Sequence, residues 1–219
     1  VDRHSWARRW GRTARSAVGA LAVCAASSLS ASDPAPTRIV VLGDSLTSGY
    51  GIEPAQAYPA LLQARIDAAG LPYTVVNAGI SGDTTAGGLR RIRWALGPGA
   101  GILIIALGGN DGLRGVPPAQ TRSNLEGIID QARSVSPNVK ILLAGMRMPG
   151  NMGADYVKQF AAVFPAVAQS KNVALLPYLL ERVGGVPALN QTDRIHPNEE
   201  GQKIIAETVW SGLKPLLQD

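Results

Sequence analysis

The chain has 219 residues, enough for one α/β domain with little room for a second core. Hydrophobic residues make up 46% and charged residues 17%, which excludes a disordered or fibrous protein. The formal charge of +5 is concentrated in positions 1–32, which hold five of the 21 basic and one of the 16 acidic residues; the rest carries +1 and gives no sign of nucleic-acid binding.

In chain order, Arg3, Arg8, Arg9, Arg12 and Arg15 precede the apolar stretch "AVGALAVCAASSLSA", followed by "SDPAPT". A positive region, a short apolar run and small residues before a polar start predict a secretory signal peptide over 1–32, cleaved between Ser27 and Ser32. A single domain over 33–219 is then expected to be periplasmic or secreted. The apolar run is too short and too weakly hydrophobic to span a bilayer, so no stable membrane insertion is expected after cleavage. Arg8-Arg9 also admits a weak twin-arginine signal. "LAVC" loosely resembles a lipoprotein box at Cys24, although valine departs from the usual small residue before the cysteine. A disordered cytosolic extension fits the ordered charge-then-apolar pattern less well. Cys24, the only cysteine, would leave with the leader, so no disulfide and no thiolate chemistry is expected. His196 is then the only imidazole, and a zinc site would be almost wholly carboxylate, against that metal's preferences. No metal and no cofactor is expected.

Apolar runs alternate with amphipathic stretches beyond the leader, which predicts a parallel sheet covered by helices. "RIVVL" (38–42) is a buried strand, and Tyr58, Leu61, Leu62, Ile66 and Ala69 mark a helix over 58–69. "YTVVN" (73–77) is the second strand, and Leu89, Ile92 and Leu96 mark the next helix. "ILIIAL" (102–107) is the most apolar run and is expected at the sheet centre, buried on both faces. Leu125, Ile128, Ile129 and Ala132 stripe a helix, and "KILLAG" (140–145) is the fourth strand. Tyr156, Phe160, Val163, Phe164 and Val167 mark a helix that Pro165 is expected to kink or interrupt. "VALLP" (173–177) is the fifth strand, and a last helix after Pro197 buries Ile204, Ile205, Thr208, Val209 and Leu213. Five βα units with right-handed crossovers predict a doubly wound, three-layer α/β/α sandwich on a five-stranded parallel sheet.

Ligands in such folds sit at the carboxyl ends of the strands. The loops there read "GDSLTSGYG", "AGISGDTT", "GGNDGLRG" and "MRMPGNMG". Ser45 lies three residues past the first strand, and a serine hydroxyl needs a base to become a nucleophile. His196 comes from the start of the last helix, with Asp193 three residues earlier. One turn over 193–196 lets the carboxylate hold Nδ1 and turn Nε2 towards the serine. Taken singly, "GDSL" fits a strand-to-helix turn with Ser45 as a cap, and Asp193–His196 fits a capping arrangement before Pro197 at the first helical position. Together at one sheet edge they favour a triad. Donors for a developing oxyanion are the Asn110 side-chain amide, the Gly82 N–H and the Ser45 N–H. An Asx turn at Asn110 and a positive φ at Gly82 are the structural alternatives.

Gly43-Asp44-Ser45-Leu46, Gly82 in "NAGISGDT", Asn110 in "LGGNDGLRG" and Asp193-x-x-His196 resemble, in order and separation, the four blocks of the SGNH, or GDSL, hydrolase superfamily. "VVLGDSLTSGYG", "ISGDTT", "GGNDGLRG" and "IHPNEEGQ" are similar to its bacterial periplasmic acyl-CoA thioesterase/lysophospholipase/arylesterase branch, over roughly residues 38–217. The resemblance implies the flavodoxin-like topology of that superfamily. It also implies Ser45 as nucleophile, His196 as general base and acid, Asp193 as its orienting partner, and an oxyanion hole from Ser45, Gly82 and Asn110. It further implies a mobile loop over about 111–117, where Leu113 and Val116 suit an aliphatic chain. Met146, Met148 and Met152 in "MRMPGNMG" suit a flexible acyl group or packing beneath the loop, with Met146 and Met148 taken as substrate-binding. Arg194 departs from the glycine more usual after the aspartate.

The expected function is cleavage of carboxylic esters and thioesters of acyl groups through an acyl-enzyme, on a small-molecule substrate that includes lysophospholipids. A carbohydrate O-deacetylase of the same superfamily is an alternative, opposed by 5% aromatic content and apolar loops. A non-catalytic periplasmic lipid-binding protein is a second, which leaves the joint presence of Ser45, Asn110, Asp193 and His196 unexplained. Neither a nucleotide-binding phosphate loop nor a G-x-S-x-G elbow is present. Arg90, Arg91 and Arg93 in "LRRIRW" read as a solvated helix face, with an anionic headgroup site as the lesser reading.

Overall fold

Valine and isoleucine are stiff at χ1 and pack well on a pleated surface, and they dominate the runs that become strands. The computed structural model describes residues 37–217; the leader expected over 1–32 lies outside them. The strands are β1 (Thr37–Gly43), β2 (Tyr73–Gly79), β3 (Ile102–Ala106), β4 (Lys140–Ala144) and β5 (Ala174–Leu176). The helices are α1 (Ser45–Ser48), α2 (Tyr58–Ala68), α3 (Thr85–Leu96), α4 (Gly109–Leu113), α5 (Pro118–Val135), α6 (Ala154–Lys171) and α7 (Glu199–Leu213). All strand pairs are parallel, in the order β2-β1-β3-β4-β5. One layer packs α3 on α5 and α5 on α6; the other packs α2 on α7. This is the expected three-layer sandwich.

The centre of the sheet is apolar throughout. Ile39–Leu42 of β1 and Ile102–Ala106 of β3 are buried on both faces. β2, the expected second strand, lies at the edge of the sheet and is only half covered. Strand order reverses at β1, so the loops leaving β1 and β3 diverge and open a crevice between them. Those loops carry Ser45 and Asn110.

Three local expectations are corrected. α6 runs through Pro165 without interruption. Pro165 is exposed, so the Ala161 carbonyl that loses its donor lies towards water, while Phe160, Val163, Phe164 and Val167 hold the opposite face in the core. At α7, Pro197 is not the first helical residue. Asn198 is the N-cap and its side chain accepts from the Gly201 amide at 3.0 Å. Thr208, expected in the core, is half-buried and donates its hydroxyl to the Ile204 carbonyl. No described helix is long and apolar enough to cross a membrane.

Candidate active site

β1 ends at Gly43, and the chain turns directly into the single-turn helix α1. Asp44, not Ser45, is the cap: its carboxylate accepts from the Leu46 amide at 3.0 Å. That leaves Ser45 as the first helical residue, its hydroxyl free to meet a partner from elsewhere in the chain. The partner is His196, whose Nε2 lies 3.0 Å from Ser45 Oγ across 151 residues of sequence.

Residues 193–196 form the expected turn. Asp193 Oδ2 lies 2.6 Å from His196 Nδ1, while its Oδ1 accepts from the Ile195 and His196 amides at 2.9 and 3.0 Å. These bonds, the ring bond first, hold the Asp193 carboxyl down at about 2 although it is largely exposed. Arg194 makes the turn at φ +60, the left-handed region. Glycine adopts that region freely, whereas a side chain there costs about 1 kcal/mol, which gives a physical reason for glycine being more usual at this position.

Sequence reasoning missed Tyr50. Its ring packs on that of His196 with centroids 4.6 Å apart. Its carbonyl accepts from Gln191 Nε2, which also donates to the Pro197 carbonyl, tying the nucleophile loop to the histidine loop. A tyrosine between two glycines in a polar loop was the available signal.

Asn110 stands on α4 after the central strand and donates from Nδ2 to the Asp83 carbonyl at 2.9 Å and to Asp44 Oδ2 at 3.3 Å. Gly82 sits one residue before Asp83 at φ +78, a conformation that favours glycine. The amides of Ser45 and Gly82 have no protein acceptor among the described residues. Asp111, next to Asn110, is buried and structural: it accepts from the Thr85 amide at 2.8 Å and from the Thr85 hydroxyl, fixing the start of α3.

A cleft of about 500 Å³ runs from Ser45, Asn110 and His196 between the loops. Leu113, Met146 and Met148 line it, with Leu46, Leu180 and Ile195. Met146 is buried and forms its floor; Met148 packs against Gly112. Val116 is not among the lining residues. Its amide donates to the Asp111 carbonyl and its own carbonyl accepts from the Tyr156 hydroxyl, which pins the segment away from the cleft. Arg147 and Arg194 stand at the rim. Among the described residues no group of three His, Cys, Asp or Glu side chains is placed to hold a metal.

The arginine cluster is corrected in part. Arg90 and Arg93 are exposed, but Arg91 turns inward, donating to Asp83 and to the Gly43 and Ala78 carbonyls.

Burial raises the Asp44 carboxyl to about 6, offset in part by its bonds from Leu46 and Asn110 and by the His196 charge, while Asp83 adds to the rise. The folded carboxyl therefore keeps its proton over a range in which the unfolded one, at 3.8, has lost it. Folding stability is penalised progressively as pH rises from about 4 to about 6. Asp44→Asn carries no such penalty, so its stability relative to the native chain should be greater at pH 7 than at pH 4 by about 3 kcal/mol. Denaturant unfolding of both proteins at the two pH values measures this, and parallel pH trends would refute the burial argument.

The GDSL-like lipase/acylhydrolase family matches residues 41–204. The chain belongs to this family and is a GDSL-type hydrolase of the esterase class. Esterase TesA of Pseudomonas aeruginosa is 43% identical over 198 residues, covering 90% of this chain and 98% of that protein. Thioesterase 1/protease 1/lysophospholipase L1 of Escherichia coli strain K12 is 38% identical over 192 residues, covering 84% and 86%. A crystal structure of TesA, 44% identical, superimposes with a TM-score of 0.79 over 83% of this chain and 100% of that one.

Proposed function

We propose that this chain hydrolyses acyl esters and thioesters with Ser45 as nucleophile, His196 as general base and acid, and Asp193 as the orienting carboxylate. The observation that carries the reading is the unbroken relay from Ser45 Oγ through the His196 ring to Asp193, opening on an apolar cleft. His196 Nε2 takes the hydroxyl proton as Ser45 Oγ attacks the carbonyl carbon, and Asp193 stabilises the imidazolium. The oxyanion that forms is met by the Ser45 and Gly82 amides and by Asn110 Nδ2 as it gives up its longer bond to Asp44, and collapse expels the alcohol or thiol, protonated by His196. Water, deprotonated by the same ring, then attacks the acyl-enzyme and regenerates the serine.

Leu113, Met146 and Met148 support an aliphatic acyl group over an acetylated sugar, since the cleft offers adaptable apolar surface. Arg147 and Arg194 at the rim suit a substrate with an anionic headgroup, which brings lysophospholipids within its range. With the leader read over 1–32, the enzyme would act outside the cytoplasm.

The test is a p-nitrophenyl ester series from acetyl to palmitoyl. Turnover that rises beyond acetyl supports the acyl-chain reading. A preference confined to acetyl would move the assignment to a deacetylase, and no turnover at all would leave the lipid-binding alternative.

A further inference from the structure

α3 begins at the carboxyl edge of the sheet and runs back along it, and helical side chains lean towards the helix N-terminus. A long side chain at the seventh residue of α3 can therefore reach back to the strand ends. Arg91 is that residue, and its side chain is only 13% exposed. Its guanidinium spends three bonds there: Nε to Asp83 Oδ2 at 2.7 Å, Nη1 to the Ala78 carbonyl at 2.8 Å, and Nη2 to the Gly43 carbonyl at 2.9 Å. The Gly43 carbonyl also accepts from the Ile80 amide.

Those acceptors are neighbours of the oxyanion donors. Gly43 lies two residues before Ser45, and Asp83 follows Gly82 directly. The Asp83 carbonyl accepts from Asn110 Nδ2 at 2.9 Å. Asp83 is also held against α3, where a Cβ on Gly87 would overlap its carboxylate. The Ser45 and Gly82 segments thus converge on one planar cation with a fixed fork of donors, which a lysine cannot reproduce, and the Asn110 segment joins them through its bond to the Asp83 carbonyl.

We infer that Arg91 is a positioning residue for catalysis, holding the Ser45, Gly82 and Asn110 segments in the register that an oxyanion requires. The inference rests on the serine-hydrolase reading. Oxyanion donors act only within about half an ångström of the productive position, so slack between the segments weakens transition-state binding more than substrate binding. Loss of one whole donor lowers turnover by about 10²–10³-fold; loosened donors should lose somewhat less.

The experiment compares the native chain, Ser45→Ala, Arg91→Met and Arg91→Lys on one soluble ester, with each variant's folded fraction set by circular dichroism and thermal unfolding. Arg91→Met should show kcat lower by about 10- to 100-fold per folded molecule, KM within about threefold, and a matching slowing of inactivation by an alkylphosphonate. Arg91→Lys should recover part of kcat, and methylguanidinium at a non-denaturing concentration should partly rescue Arg91→Met. If Arg91→Met does not fold, the same kcat-against-KM split is read on Arg91→Lys. Folded variants with kcat and phosphonylation rates within threefold of the native chain would overturn the inference and leave Arg91 a stabiliser of the fold alone. Activity retained in Ser45→Ala would instead overturn the hydrolase reading, so the two failures are distinct.

Discussion

Ser45→Ala and His196→Ala are each expected to lower ester turnover by at least about 10⁴-fold while leaving the protein folded. Among the described residues the Ser45 hydroxyl has a single side-chain partner, His196 Nε2 at 3.0 Å. Removing it costs one part-buried hydrogen bond and no core packing, so stability should stay within about 1 kcal/mol of the native chain. The His196 ring also packs against Tyr50, so its loss should weaken the 190–198 loop somewhat more. The groups act as one unit: without the base the hydroxyl is a weak nucleophile, and without the hydroxyl the base has nothing to activate. The double variant should therefore be no slower than either single one. Steady-state kinetics on p-nitrophenyl butyrate measure all three, and additive losses would argue that the residues act independently.

Asn110→Ala should lower kcat by about 10²–10³-fold with KM little changed, because the lost donor acts on charge that exists only in the transition state. A second effect follows from the same side chain. Asn110 Nδ2 is one of the bonds that lower the buried Asp44 carboxyl from where desolvation alone would put it. Without it, the charged form of Asp44 is less well satisfied and its proton is held to still higher pH. The variant should be destabilised by about 1–3 kcal/mol near pH 8, where Asp44 is ionised, and by less at pH 4, where it is protonated. Paired kinetics and unfolding at both pH values separate the two effects. A stability loss that is equal at both pH values would remove Asp44 from the explanation.

The sheet was legible because continuous apolar runs of five or six residues, such as "ILIIAL", have few folded outcomes other than a strand buried on both faces. "YTVVN" is legible as a strand but not as the edge of the sheet, since strand order depends on crossovers that the run does not encode. Pro165 does not interrupt α6: the proline rule concerns the helix backbone, and the ring occupies the exposed face of the helix. The meeting of Ser45, Asp193 and His196 is legible through chemistry: a nucleophilic serine would need a base and an orienting carboxylate, and His196 is the one imidazole beyond the expected leader. Asp44 and Arg91 were not. Their roles come from burial and from the reach of a long side chain, and helical spacing gives the face of a residue but not where its last atoms end. Val116 sits in the expected loop, but its backbone bonds to Asp111 and Tyr156 hold it off the cleft that Leu113 lines. Arg194 kept the Asp193–His196 turn intact in a conformation that glycine would adopt more easily.

The most direct measurement of the Ser45 assignment is covalent. The protein is incubated with a p-nitrophenyl alkylphosphonate, and the adduct is located by peptide mass spectrometry in the native chain, Ser45→Ala and His196→Ala. Attack by an activated Ser45 predicts one adduct on that residue, absent from Ser45→Ala and formed far more slowly in His196→Ala. An adduct on another residue, or undiminished labelling of Ser45 without His196, would contradict it.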